Sequence, residues 1–172
     1  MQQSCDVLDI IVQSSTVDLF HSCGLAVAPL ARSAPAAAVP HPALAAMIGF
    51  RARGFTGTLT AGVPDPVFAI VPQNPERPFA GADWIREMAN QLLGRVKGRL
   101  LQLGTSLKVG LPGLVNSDAL ARMRERSPFY AVYRFRTLRG EILVTLMGDI
   151  EPSVFVYTGA VVAAKEGDVI LF

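Results

Sequence analysis

Four residues on one stretch of the chain could do chemistry together: Asp83, Glu87, Asn90 and Gly94, within DWIREMANQLLGRVKGRL. On a helix turning about 100° per residue they fall within about 60° of one another. A carboxylate and a carboxamide, three positions apart, then point the same way. A carboxamide both donates and accepts hydrogen bonds and can hold a water molecule. A carboxylate one turn away can pair with a cation on a partner. Gly94 shares this face, and glycine inside a helix costs on the order of 1 kcal/mol against alanine. Its place beside Glu87 and Asn90 would let another surface come close.

The elements that must position these groups follow from periodicity. Ile85, Met88, Ala89, Leu92, Val96, Leu100 and Leu103 form the opposite stripe, which predicts a long helix packed against a core. Residues 4–21 predict a second amphipathic helix, with Ser4 as N-cap and Gly24 as the stop. Segments 43–50 and 54–61 read as a strand pair, with Phe55, Gly57, Leu59 and Ala61 on one side and threonines on the other. Ser106–Val115 reads as a strand broken at Pro112, which suggests an edge or a bulge. Residues 117–126 predict a short basic helix capped by Ser117. Residues 129–137 and 141–149 predict a hairpin. A last hairpin is expected over 154–172, an alanine–proline connector over 29–42, and a short apolar run over 67–71. The sum is an α+β layout with long antiparallel strands and few, long helices. The first helix also carries Asp9, Gln13 and Thr16 at the spacing of Asp83, Glu87 and Asn90, an echo that a duplicated α-plus-strands unit would leave.

Composition narrows the classes. The chain has 172 residues, 51% hydrophobic and 17% charged, enough for one domain with a real core. A formal charge of +2 is too small to argue for nucleic acid. Cys5 and Cys23 match no metal or redox spacing. No signal peptide or long uncharged apolar run is visible, so a cytoplasmic protein without a membrane span is expected. His21 and His41 have no motif around them, and neither a nucleophile triad nor a phosphate-cradling glycine loop is present.

The pattern Asp83-x-x-x-Glu87-x-x-Asn90, with Pro112 after twenty-one further residues, resembles the signature of the CheC/CheX family of chemotaxis phosphatases. EMANQLLGRVKGRL followed by KVGLPGLV is similar to CheX-type sequences in particular, and the resemblance extends more loosely over about residues 5–150. It implies a single CheX-like domain over 1–172, with 151–172 as a C-terminal extension, and long helices packed on an antiparallel sheet. It implies an enzyme that removes the aspartyl phosphate from a CheY-type response regulator. Asn90 would then position the attacking water and Glu87 would pair with the regulator's lysine. Asp83, Gly94 and Lys97 would meet the partner. The protein would need no cofactor or metal of its own, since Mg²⁺ belongs to the regulator, and it would be a homodimer joined through its sheets. The arginines at 122, 124 and 126 would help to meet an acidic surface. The competing reading is a non-catalytic adaptor on the same fold. Nucleic-acid binding through the basic helix is a third, which predicts strong salt dependence.

Overall fold

The computed structural model describes residues 2–30, 42–63 and 80–150. The apolar run at 67–71, the hairpin at 154–172 and all but the ends of the connector at 29–42 lie outside these residues. The order of elements is α1 (Gln2–Ser22), β1 (Ala28–Pro29), β2 (Leu44–Ala52), β3 (Phe55–Val63), α2 (Ala80–Gln102), β4 (Lys108–Val109), β5 (Gly113–Leu114), α3 (Ser117–Arg126), β6 (Phe129–Thr137) and β7 (Gly140–Ile150). This is the α+β arrangement expected from the sequence.

The described strands form one antiparallel sheet in the order β1-β6-β7-β3-β2-β4, and β5 also pairs with β2. Read from either end, the order is equivalent. β1 stands on β6 as β4 stands on β2, and β7 meets β3 at the centre. The chain therefore contains two units of helix, short strand and hairpin, and each short strand completes the other unit's hairpin. Both long helices end in the same way. Gly24 (φ 75°) and Gly104 (φ 79°) take the left-handed conformation that glycine adopts without steric cost. Leu25 N–H bonds Phe20 C=O and Gly24 N–H bonds His21 C=O, and Thr105 repeats this with Leu100, and Gly104 with Leu101, all at 2.9 Å. This pairing satisfies the last carbonyls of each helix.

The core lies between the sheet and the two long helices. Ile85, Met88, Ala89, Leu92, Val96 and Leu100 of α2 are all buried, as the apolar stripe requires. They meet Ile48, Phe50, Leu59 and Ala61 of β2 and β3, and Leu8, Ile11, Val12 and Leu19 of α1 belong to the same cluster. Polar ties fix the two helices to each other. Arg99 of α2 donates to Ser14, Ser15 and Asp18 of α1, and Arg95 donates to Ser22 at 3.0 Å.

Two caps differ from expectation. α1 begins before Ser4, so Ser4 lies inside its first turn. In α3 the cap is Asn116, whose side chain accepts from Ala119 N–H at 2.8 Å; Ser117 is already helical and donates to Pro42 C=O at 3.3 Å. Asparagine and serine cap about equally well, and here the extended backbone falls on Asn116.

Burial sets the rotational phase of α2, and two leucines on its opposite sides measure it. Leu92→Ala should cost about 2–5 kcal/mol in urea denaturation, as deletion of a buried leucine does. Leu101→Ala, at a position 43% exposed, should stay within about 0.5 kcal/mol. Equal costs would mean that the helix is turned otherwise.

Candidate functional site

With the apolar stripe of α2 held against the sheet, its other side faces solvent. Asp83, Glu87, Asn90 and Gly94 are all exposed, and Lys97, partly exposed, continues the line. Leu101 extends it by one further turn. The residues singled out from the sequence are thus on one strip of one helix. Two of them have neighbours on the same helix. Gln91 Nε2 donates to Glu87 Oε1 at 2.7 Å, an i,i+4 bond that steadies the carboxylate. Arg86 pairs with Asp83 at 3.2 Å, and with the two side chains 41% and 74% exposed this pair contributes little stability. Gln91 had no signal in the sequence beyond its spacing from Glu87.

Gly94 has no internal reason to be glycine. Among the described residues, a Cβ built there meets nothing within 4 Å, and its φ is not positive. The helix bears the cost of that glycine without any gain in packing. Chemically, the strip offers an acceptor, a carboxamide able to orient water, a bare stretch of backbone and a cation, in that order along the axis. Among the described residues, no group of three or more His, Cys, Asp or Glu is placed to hold a metal ion. No described helix is long and apolar enough to cross a membrane.

The basic helix α3 stands apart from this strip. The side chains of β3 and β7 alternate: Leu59, Ala61, Val144 and Leu146 point into the core with α1 and α2. Thr60, Gly62, Leu143 and Thr145 line a cavity on the other face, together with Leu120, Ala121 and Arg124 of α3. Arg124 also lies over the Tyr130 ring, 4.8 Å from its centre. Burial pushes the Tyr130 phenol above its ordinary range, with Arg124 pulling it partly back. The sheet therefore separates the α3 arginines from Glu87 and Asn90. Pro112 lies between β4 and β5, both paired with β2, so the expected edge strand is interrupted there.

The echo in α1 is not a second copy of the strip. Thr16 is fully buried and bonds Val12 C=O at 2.8 Å, and Asp9 accepts from Tyr133 at 2.6 Å. Counted back from the matching Gly24 and Gly104, Ile10 occupies the position of Asn90, and Val7 that of Glu87. Ile10 is 65% exposed, so the first unit presents an apolar side chain where the second presents a carboxamide.

No known family's sequence profile matches the chain, and no curated protein sequence does. Solved structures do. A CheC-like superfamily protein from Shewanella sp. PV-4 superposes with a TM-score of 0.66 at 13% identity, over 82% of this chain and 96% of that one. The chemotaxis protein CheX from Vibrio vulnificus gives 0.63 at 12%, over 82% and 95%. CheX in the CheX–CheY–BeF₃–Mg²⁺ complex from Borrelia burgdorferi gives 0.60 at 11%, over 81% and 96%. The chain has a CheC/CheX-like fold.

Replacing Gly94 tests whether that glycine serves the fold. Gly94→Ala should raise stability by about 0.5–1 kcal/mol, the helix-propensity difference, as read from the urea midpoint. A lower midpoint would place an internal constraint at this position.

Proposed function

We propose that this protein dephosphorylates the aspartyl phosphate of a CheY-type response regulator, using Glu87 and Asn90. The observation that carries the reading is the exposed strip of α2. Carboxylate, carboxamide and glycine follow one another on a single face, and among the described residues the glycine packs against nothing. The fold is the one adopted by a CheX found bound to a CheY carrying BeF₃ and Mg²⁺.

An aspartyl phosphate is an activated acyl phosphate, so the protein need only position and orient what the regulator already holds. The regulator supplies Mg²⁺ and a lysine. Glu87, steadied by Gln91, pairs with that lysine and fixes the register of α2 in the partner's pocket. Asn90 holds a water in line with phosphorus. The water oxygen forms the new bond to phosphorus, and the bond from phosphorus to the aspartyl oxygen breaks. Inorganic phosphate and a free carboxylate result, and the water's proton leaves with the phosphate or to solvent. Gly94 leaves room for the partner's loops, while Asp83 and Lys97 lie at the rim. Neither acting group exchanges a proton with substrate in this scheme, so it needs no histidine.

The experiment is the loss of phosphate from a phosphorylated CheY-type regulator with Mg²⁺. Wild type should accelerate it. Asn90→Ala should abolish the acceleration while regulator binding and the urea midpoint stay unchanged, and Glu87→Ala should weaken binding as well. If Asn90→Ala is as active as wild type, the assignment is wrong. Binding without acceleration by wild type, across the organism's regulators, would make the protein an adaptor.

A further inference from the structure

A second surface lies on the other side of the sheet from α2. Ile48 and Phe50 of β2 belong to the core, so alternation turns Gly49 and Arg51 to the opposite face. There they line a shallow groove of about 600 Å³, with Lys108 and Gly110 at the sheet edge, Asp149 of β7 and Met123 of α3. The groove is open to solvent, and its size falls in the range of about 300–1,000 Å³ of small-molecule sites.

Its charge is arranged against the interest of the sheet. Arg51 and Lys108 are direct partners across β2 and β4. Opposite residues on antiparallel strands hold their Cβ atoms about 4.5–5.5 Å apart, and like charges there are destabilising. Both residues are exposed. Among the described residues, neither side chain makes a hydrogen bond or an ion pair. Asp149 does not serve them. Arg51 faces Thr56, and Thr56 faces Asp149, so two strand spacings, roughly 10 Å, separate the backbones of Arg51 and Asp149.

The floor beside these cations is bare. Gly49 and Gly110 each lie two positions along from one of them, and Gly110 N–H donates to Gly49 C=O at 2.8 Å. Neither glycine has a positive φ, so the backbone does not require it. Among the described residues, a Cβ at Gly49 would meet only Gly57 C=O at 4.0 Å, and one at Gly110 only Gly49 C=O at 3.5 Å. Glycine inside a strand weakens it and often marks the close approach of another group. Two bare backbone segments side by side give a flat surface next to the charges. Met123, among the lining residues, adds a thioether, which makes favourable contacts with aromatic rings.

We propose that this groove binds a small phosphomonoester with a flat organic part, a nucleoside monophosphate being the type. A phosphomonoester carries about two negative charges at pH 7, which match the two cations. Its oxygens accept hydrogen bonds from the guanidinium of Arg51 and the ammonium of Lys108. A carboxylate would leave one of them unneutralised. The flat part lies over Gly49 and Gly110, beside Met123. The groove is on the face of the sheet away from Glu87 and Asn90, and the proposal does not depend on the phosphatase reading.

The test titrates the full ¹⁵N-labelled chain with adenosine 5′-monophosphate, with adenosine and with inorganic phosphate. Wild type should bind the monophosphate at least about tenfold more tightly than either part alone, with the amides of Gly49 and Gly110 shifting. Arg51→Gln and Lys108→Gln should each weaken binding about tenfold or more. Arg51→Glu sets opposite charges across the strand pair, so it should abolish binding and raise the urea midpoint. No binding of the monophosphate by wild type at millimolar concentration would overturn the proposal. So would equal affinity for adenosine or for phosphate, or unchanged affinity in Arg51→Glu. A lower midpoint in Arg51→Glu would overturn it too, since Arg51 would then already have a partner.

Discussion

The burial of one side of α2 is the constraint on which the rest depends. Leu92 and Ala89 are fully shielded from water, and Ile85, Val96 and Leu100 nearly so. A helix gripped on one side cannot rotate, so the direction of every other side chain is set as well. Glu87, Asn90 and Gly94 face solvent because Ile85, Met88, Leu92 and Val96, on the other side of the same turns, do not. Arg99 and Arg95 add a second restraint by tying α2 to α1 at Asp18, Ser14 and Ser22. The strip is thus built on a rigid element, which is where groups that must meet a partner's reacting atoms are held most accurately.

The sheet then divides the described residues into two faces. On one face, the pseudo-twofold order places two similar helices side by side, and at matching positions the first carries Val7 and Ile10 where the second carries Glu87 and Asn90. On the other face, α3 rests over alternating threonines and leucines, with a cavity between. Because strand side chains alternate, the same strands serve both faces: Leu59 and Val144 pack under α1 and α2, while their neighbours Thr60 and Thr145 line the cavity.

Most of this could be read from the sequence wherever one physical period dominated. The 3.6-residue stripe of α2 gave both the core and the exposed strip, and the alternation at Phe55–Ala61 gave both faces of β3. Gly24 marked a helix end because it supplies the left-handed conformation that the cap requires. What could not be read depended on tertiary contact. Asp9, Gln13 and Thr16 repeat the spacing of the polar strip but not its register: counted from Gly24 and Gly104 they match Ala89, Leu93 and Val96. The matching feature was the pair of helix-ending glycines, whose bonds only the folded chain shows. The cap of α3 fell on Asn116 instead of Ser117, a one-residue choice between two good caps. The position of the α3 arginines behind the sheet followed from topology alone, and no local pattern encodes which face a short helix will cover.

The most direct measurement of the central claim, that the polar strip of α2 is the surface applied to the regulator's phosphorylation site, is an NMR footprint. The ¹⁵N-labelled protein would be titrated with a CheY-type regulator activated by BeF₃⁻ and Mg²⁺. The account predicts that amides and side chains at Asp83, Glu87, Asn90, Gly94 and Lys97 shift or broaden, Asn90 most strongly, while α3 is unaffected. A footprint on α3 or on Thr60 and Thr145, with the α2 strip unchanged, would contradict it.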